Sequence, residues 1–304
     1  MAKNKKTKAK KTLKPIPQSI IDKTAKKIVE EKKSWFSPEA IIMLTAIFLI
    51  TQTIGLLAAH QFFVLGAQQP IITQDVNDIE NGLYLFGVII AMTIIMVMIL
   101  RLKRGNKFLW VIEALAIFST SLLVFSAFLP TSDLLAILLT AFILYMRYWK
   151  RNNIFIRNIA AMIAIIGAGA YIGISLGVMP VLVFITILAV YDIIAVFYTK
   201  HMIEIGKAAT EKNFAFTVAI PTKKHHFELG NGDLVIPLIA ATSILTNGPF
   251  QNNALIAGAC IIASYIGLLF SIYSVSELKR PMPALPPQTL LMAIVLITGF
   301  ILGL

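Results

Sequence analysis

Long uncharged apolar runs, rather than amphipathic periods, dominate the chain. A helix needs roughly 20 apolar residues to cross a bilayer core of about 30 Å. Two of the longest runs divide at turn residues, one at Gly177–Pro180 and the other at Asn247–Asn253. The runs predict nine transmembrane segments, at about residues 40–65, 82–100, 108–129, 133–149, 158–178, 180–199, 233–250, 253–275 and 284–304. We therefore expect an all-α, polytopic membrane protein.

The basic residues distinguish the two sides of the membrane. Of the 27 Lys and Arg residues, 12 lie within the first 33 positions. The other 15 all lie in the connections that follow predicted segments two, four, six and eight, and none lies in the alternate connections. Because Lys and Arg are retained on the cytoplasmic side, this asymmetry predicts a cytoplasmic amino terminus. An odd number of segments then places the carboxyl terminus outside.

The composition excludes a water-soluble globule and several kinds of site. The chain of 304 residues is 58% hydrophobic and 14% charged, whereas a soluble domain is about 25% charged. Most of the net charge of +12 belongs to the Lys-rich tail, which argues against nucleic acid as a partner of the protein body. The single cysteine, Cys260, excludes an internal disulfide and a Cys-ligated zinc or iron–sulfur site.

Twelve of the 15 acidic residues lie in the tail, in loops or at segment ends where water reaches them, and two of the other three are candidates for chemistry. Glu113 follows Lys107 by six residues, so we expect it to snorkel or pair near the cytoplasmic face. Asp192 lies in an otherwise uncharged helix, where an acid costs roughly 2.5 to 3.5 kcal/mol. Asp233 opens the next segment. Helical rise puts Asp192 ~12 Å and Asp233 ~7.5 Å from the nearest charged flank, so the two carboxyl groups can face each other.

A facing pair of carboxyl groups is compatible with three roles. Two close carboxylates do not both ionise readily, so they share one proton and supply an acid and a base together. The base can activate water for attack on a peptide carbonyl while the acid protonates the developing oxyanion. The alternatives are an interhelical hydrogen bond and the cation or proton relay of a transporter or channel. A transporter should contain broken helices that are repeated in two halves of the chain. The chain has no second copy of its Gly230–Asp233 and Pro283–Pro286 segments, which favours hydrolysis.

Glycine and proline residues surround the second acid and the start of the last segment. Gly230 and Gly232 precede Asp233 and permit close approach of the backbone. Pro237, one turn later, is expected to kink the helix. Four prolines fall within Pro281–Pro287 and favour extended backbone at the cytoplasmic start of segment nine. Such backbone is tolerated at membrane depth only where protein or a water-filled cavity surrounds it.

These residues form three motifs in register. Tyr191–Asp192, Gly230–Asp233 and Pro283–Pro286 resemble the YD, GxGD and PALP motifs of the presenilin and signal peptide peptidase family of intramembrane aspartyl proteases. The order of the motifs and their positions on segments six, seven and nine also resemble that family, and the short chain resembles its microbial presenilin homologues most. One departure is Asn231, which occupies a position that is usually apolar in better-known members.

The resemblance implies a role for each motif residue. Asp192 and Asp233 are implied to be the catalytic pair, which activates water without a metal or a cofactor. The residues implied to shape the active site are Tyr191, Gly230, Asn231 and Gly232. The residues implied to dock the substrate are Pro283, Ala284, Leu285 and Pro286. The implied substrates are transmembrane peptides or proteins, such as signal-peptide remnants and single-span proteins, and no obligate partner subunit is implied.

The predictions divide the chain into three regions. These are a basic cytoplasmic tail with a surface helix (1–38), a bundle of segments one to five (39–178) and a catalytic region of segments six to nine (179–304) with a cytoplasmic loop (200–232). Within that loop, Phe214–Ile220 has a strand-like composition, and we expect it to pair with an unwound substrate by β-augmentation. The expected location is the lipid bilayer of a microbial plasma membrane.

A further glycine pattern lies in segment five. Gly169, Gly173 and Gly177 recur at a spacing of four residues. The sequence around Ser175 also matches a serine nucleophile elbow, but that motif needs a strand-to-helix turn and a histidine base, and neither is available. The three glycines therefore predict a helix face that packs closely on a neighbouring helix.

Overall fold

Nine helices and one small hairpin make up the part of the chain that the structure, a computed structural model, describes. The described residues are 38–102, 105–199, 212–221, 226–278 and 282–303. The helices are α1 (Pro38–Val64), α2 (Ile79–Arg101), α3 (Gly105–Phe128), α4 (Asp133–Trp149), α5 (Ile154–Ile174), α6 (Val178–Ile194), α7 (Gly232–Asn247), α8 (Asn253–Leu278) and α9 (Leu285–Leu302). The strands are β1 (Thr217–Pro221) and β2 (His226–Gly230). The predicted tail helix, at Pro17–Phe36, lies outside the described residues.

Each of the described helices overlaps one predicted segment. Seven of them are long and apolar enough to cross a membrane. The other two are α4, with 17 residues, and α7, with 16. That all nine cross the bilayer, and that the amino terminus is cytoplasmic, stay predictions.

Large apolar side chains cover the outside of the bundle. Ile42, Met92, Leu115 and Ile262, from four different helices, are each more than half exposed. A soluble protein rarely exposes contiguous apolar patches of more than a few hundred Å². Lipid tails, by contrast, are as apolar as these side chains, so the surface suits a bilayer rather than water.

α5 packs on α1, α3 and α7, and its glycines permit the closest of these contacts. A Cβ atom added at Gly169 would lie 2.6 Å from Leu238 of α7, and one added at Gly173 would overlap the Thr242 hydroxyl. The predicted close-packing face is therefore confirmed at Gly169 and Gly173. Gly177 instead precedes α6 and packs on the connection between α1 and α2.

The two strands form an antiparallel hairpin on the side of α5. Thr217 lies opposite Gly230, and Ala219 lies opposite Glu228. β1 packs on α5, and most of its side chains are buried. The all-α prediction is therefore corrected in this loop, because the fold is mostly helical with one hairpin. The β propensity of residues 214–220 indicated one strand, but the polar residues of β2 gave no comparable signal.

Candidate active site

Asp192 lies near the end of α6, where the helix widens into a π-helical turn at Ala195–Thr199. Its side chain is buried. Its Oδ2 atom accepts a hydrogen bond from the backbone N–H of Leu285 at 3.2 Å, and the N–H of Ala284 also donates to the carboxyl group. Both donors belong to the start of α9. The structure therefore brings the Pro283–Pro286 segment directly to Asp192.

The prolines of this segment explain why its backbone is directed at a carboxylate. The first N–H groups of a helix have no partner inside the helix and favour an anion. In α9 these donors come from Ala284 and Leu285, while Pro286 and Pro287 in the first turn have no N–H group to leave unsatisfied. Pro283 and Leu285 are buried, and Ala284 and Pro286 are half-buried. The segment thus forms a fixed pair of donors beside Asp192.

Asp233 is the second residue of α7 and is half-buried. Its carboxyl group lies close enough to Asp192 for the two to repel each other when both are ionised. Pro237 cannot donate the N–H that would bond to the Asp233 carbonyl. The next carbonyl, that of Leu234, accepts a hydrogen bond at 3.0 Å from the buried Gln52 amide of α1. The start of α7 is therefore held by α1 as well as by its own helix.

The residues between β2 and Asp233 join the hairpin to α7. The Asn231 side-chain amide donates to the Ala215 carbonyl at 2.8 Å, and its backbone N–H donates to Phe216. This polar partner explains why asparagine fits a position at which an apolar side chain was expected. A Cβ atom at Gly230 would lie 3.5 Å from Asp233 Oδ2, whereas one at Gly232 would meet open space. A side chain at position 230 would therefore lie in contact with the Asp233 carboxyl group.

Tyr191 lies beside Asp192 in the chain, but its side chain contacts α2. Its hydroxyl group forms a hydrogen bond with Thr93, and its ring packs edge-on against Phe86 with centroids 6.1 Å apart. These contacts brace α6 against α2. The role of Tyr191 in shaping the site stays a prediction.

Sequence reasoning did not assign a group of buried charges on the hairpin side of the site. Arg147 is fully buried and pairs with Glu113 at 2.9 Å, which confirms that Glu113 pairs but places the pair inside the protein. Arg157 is also buried and pairs with Glu228 at 2.9 Å. The two arginines were expected among the cytoplasmic connections, and Glu228 in water. One sign of these pairs was available in the sequence. Each buried arginine needs an acidic partner, and an acid lies on an element that becomes its neighbour in the fold.

The donor set of the site consists of two carboxyl groups and two backbone N–H groups. Within the described ranges, no three His, Cys, Asp or Glu side chains are grouped as metal ligands. The apolar helices are those of a membrane protein. The two acids that they bring together are the kind of acid–base pair that an aspartyl hydrolase uses. The two acids and the start of α9 belong to the three sequence motifs described above.

The comparisons with known proteins agree with that class. Residues 45–304 match the family model described as "Signal-peptide peptidase, presenilin aspartyl protease". The chain therefore belongs to this family, and it is a multi-pass integral membrane protein and a hydrolase. This assignment favours hydrolysis over the transporter and channel alternative.

Solved structures show the same fold. One, described as a presenilin family intramembrane aspartate protease in space group C222, is 23% identical, with a TM-score of 0.64 over 86% of this chain and 98% of its own. Another, with the same description in space group P2, is 23% identical, with a TM-score of 0.61 over 84% and 96%. No curated protein matches the chain significantly.

Proposed function

We propose that the protein hydrolyses peptide bonds of transmembrane segments and that Asp192 and Asp233 act as its catalytic pair. The observation that carries the proposal is the proximity of the carboxyl groups of Asp192 on α6 and Asp233 on α7, together with the hydrogen bonds that the start of α9 donates to Asp192. Hydrogen bonds from N–H groups favour the ionised form of a carboxyl group. The N–H groups of Ala284 and Leu285 therefore suit Asp192 to be the base, and Asp233 to hold the shared proton.

The reaction needs only water and these two groups. Asp192 takes a proton from a water molecule as the water oxygen bonds to the carbonyl carbon, and Asp233 gives its proton to the carbonyl oxygen. In the resulting diol, one hydroxyl proton returns to a carboxylate and the amide nitrogen takes a proton from the other carboxyl group. The carbon–nitrogen bond then breaks, which releases a carboxyl and an amine product and restores one shared proton.

A transmembrane substrate must unwind before water can reach its backbone, and the hairpin offers a strand for it to pair with. The N–H and C=O groups of Ala219 in β1 both bond to the Asn158 side chain, at 2.9 and 2.7 Å. The Ala219 backbone groups therefore point away from β2, and the edge of β1 that faces away from β2 is occupied by Asn158. The expected pairing of a substrate with residues 214–220 is accordingly revised in favour of β2.

The alternation of an antiparallel ladder identifies the groups available on β2. Residues opposite each other alternate between bonded and non-bonded pairs, so Glu228, opposite Ala219, directs its backbone groups away from β1. Gly230 does the same two residues later. We call these groups the outer edge of β2, and the described sheet contains no third strand beside it. Because Gly230 adjoins Asp233, a substrate strand added here would end next to the carboxyl pair.

The remaining parts of the proposal follow from charge and composition. The basic connections support a cytoplasmic amino terminus, nine crossings and an active site near the cytoplasmic face. The substrates we propose are single-span proteins and signal-peptide remnants in the plasma membrane of a microbial cell. Asp192 and Asp233 both come from this one chain, so the proposal needs no obligate partner subunit and no nucleic acid.

The test is cleavage of a single-span substrate by the purified protein in detergent. Asp192→Asn and Asp233→Asn should each lower the rate at least about 100-fold, because each removes an acid or base from the transition state. Asp133→Asn is the matched control, since Asp133 is exposed at the start of α4. Cleavage that survives either of the first two substitutions would refute the catalytic pair.

A further inference from the structure

One ion pair connects the hairpin to α5 at the residue that forms the outer edge of β2. Arg157 donates from Nη2 to both carboxylate oxygens of Glu228, at 2.9 Å each. Its Nη1 atom donates to the Asn213 side chain at 2.8 Å, and the Thr217 hydroxyl donates to Glu228 at 2.7 Å. The Arg157 side chain is only 2% exposed and that of Glu228 16%. This pair is therefore shielded from water and fixed by several partners.

The next residue of α5 holds the other strand. The Asn158 side chain makes two hydrogen bonds to the Ala219 backbone, as a neighbouring strand would. Consecutive residues of α5 thus hold β2 through Glu228 and β1 through Ala219. The hairpin has a fixed position against this helix, rather than only a fixed internal pairing.

The same helix also holds the element that carries Asp233. Gly169 and Gly173 of α5 pack closely on α7, and Asp233 lies in the first turn of α7. Arg157 and Gly169 are ~18 Å apart along one continuous helix. By contrast, the direct link from β2 to Asp233 runs through Gly230 and Gly232, and glycine permits many backbone conformations. The outer edge of β2 and the helix that carries Asp233 are therefore both held by α5, in addition to the direct link through Asn231.

We propose that the Arg157–Glu228 pair selects which peptide bond is cut, by fixing the outer edge of β2 relative to the catalytic carboxyl groups. Arg157 and Glu228 are positioning residues in this account, which rests on the proposed function. A strand advances about 3.3 Å per residue, so displacement of the edge by about one residue presents the neighbouring bond. A smaller displacement, of about 1 Å, is enough to lower the rate by about 100-fold.

The test is the identity of the cut bond, measured by product mass with one single-span substrate. Arg157→Gln and Glu228→Gln should each lower cleavage at the principal bond about tenfold or more and raise the share of adjacent bonds. Arg157→Lys should shift the distribution less, because lysine keeps the charge beside Glu228 but has no second nitrogen to bond Asn213. The double variant Arg157→Gln/Glu228→Gln has no unpaired buried charge, so it tests the shift if a single variant fails to fold.

Lys150→Gln is the matched control, because Lys150 is an exposed cation just ahead of α5. It should leave both the rate and the bond distribution unchanged. A purely structural pair would lower the thermal stability and the amount of active protein without moving the cut bond. An unchanged bond distribution in the folded Arg157, Glu228 and double variants would therefore overturn the proposal.

A second readout separates this inference from the proposed function. Amide hydrogen exchange of residues 226–230 is measured in the Asp192→Asn protein, with and without Arg157→Gln. We expect exchange at Phe227 and Leu229, whose N–H groups are directed at β1, to become about tenfold faster or more when the pair is removed. If the parent protein cut no membrane-embedded substrate, the proposed function would be wrong. Equal exchange rates with and without Arg157→Gln would instead show that the pair does not fix the hairpin, and would overturn this inference alone.

Discussion

α2 and α7 are both apolar helices, but they are apolar for different reasons. None of the 18 residues in the most apolar stretch of α2 is fully buried inside the protein. In α7, ten of the sixteen residues are buried, including the polar Thr242 and Ser243. Lipid is thus the main environment of α2, which packs on α6 along one side, whereas protein surrounds α7. The helix enclosed by protein is the one that carries Asp233 in its first turn.

This difference explains where a membrane protein can place polar chemistry. A helix that faces lipid must satisfy most of its polar groups within itself, and the Thr93 hydroxyl of α2 donates to the Ile89 carbonyl of the same helix besides its contact with Tyr191. A helix inside the bundle can take partners from its neighbours. α7 receives the Gln52 amide at Leu234, and its Ser243 hydroxyl donates to Leu176. Enclosure therefore supports both a proline inside the helix, Pro237, and the acid before it.

The largest expected effect is on the packing of α7. Leu238 is fully buried and lies against Gly55 of α1 and Gly169 of α5. Leu238→Ala should lower the free energy of unfolding by about 2 to 5 kcal/mol, because it leaves a cavity between three helices. Leu83→Ala on α2 is the matched control, since Leu83 is 46% exposed. Thermal unfolding in detergent measures both, and similar losses for the two variants would refute the contrast.

The next effect tests the close approach of α5 to α7, by adding a methyl group instead of removing side-chain volume. Gly173→Ala adds a methyl group that would overlap the Thr242 hydroxyl, so it should cost about 1 to 3 kcal/mol of unfolding free energy. Gly87→Ala on α2 adds the same group where nothing lies within 4 Å. It should be neutral or slightly stabilising, because alanine favours a helix. A stability loss at Gly87 that equals the loss at Gly173 would contradict the assignment of their environments.

A smaller effect is expected from the hydrogen bond that α1 donates to α7. Gln52→Met keeps the length of the side chain but removes the bond to the Leu234 carbonyl, which should cost about 1 kcal/mol. Gln61→Met is the control, because Gln61 lies on the opposite face of α1. Denaturant titration of the two variants should separate them. Identical midpoints would show that the bond does not stabilise the start of α7.

The smallest effect is expected where α2 meets α6. Tyr191→Phe removes the hydrogen bond with Thr93 but keeps the ring contact with Phe86. The cost should be about 1 kcal/mol or less, and substrate cleavage should fall less than about tenfold. The rate of peptide release by the purified variant measures this. Complete loss of cleavage would mean that the hydroxyl group takes part in the chemistry.

The sequence predicted the helical segments and the two acids because both depend on rules that act along the chain. Apolar runs have a length that a bilayer fixes, and an isolated acid within such a run is conspicuous. The contrast between α2 and α7 could not be predicted in this way, since both are apolar runs. It depends on which helices become neighbours, and the glycines of α5 were the one local sign of that arrangement.

The burial of two charged pairs was not predicted for a related reason. Counting Lys and Arg as markers of the cytoplasmic side treats each as solvated, and this holds for Lys150 but not for Arg147 or Arg157. These two arginines can be buried because they pair with Glu113 and Glu228. Both partners lie far away in the chain, so the sequence alone did not reveal the pairs. The hairpin was missed in part for the same reason, since β2 contains polar residues whose partners lie on α5 and β1.

The most direct test of the central claim is a double-mutant cycle on the two aspartates. If Asp192 and Asp233 share one proton and act as a unit, removing either should abolish nearly all of the catalysed rate. The double variant Asp192→Asn/Asp233→Asn should then be no slower than either single variant. Rates of substrate cleavage that fall in two independent, multiplicative steps would contradict the account.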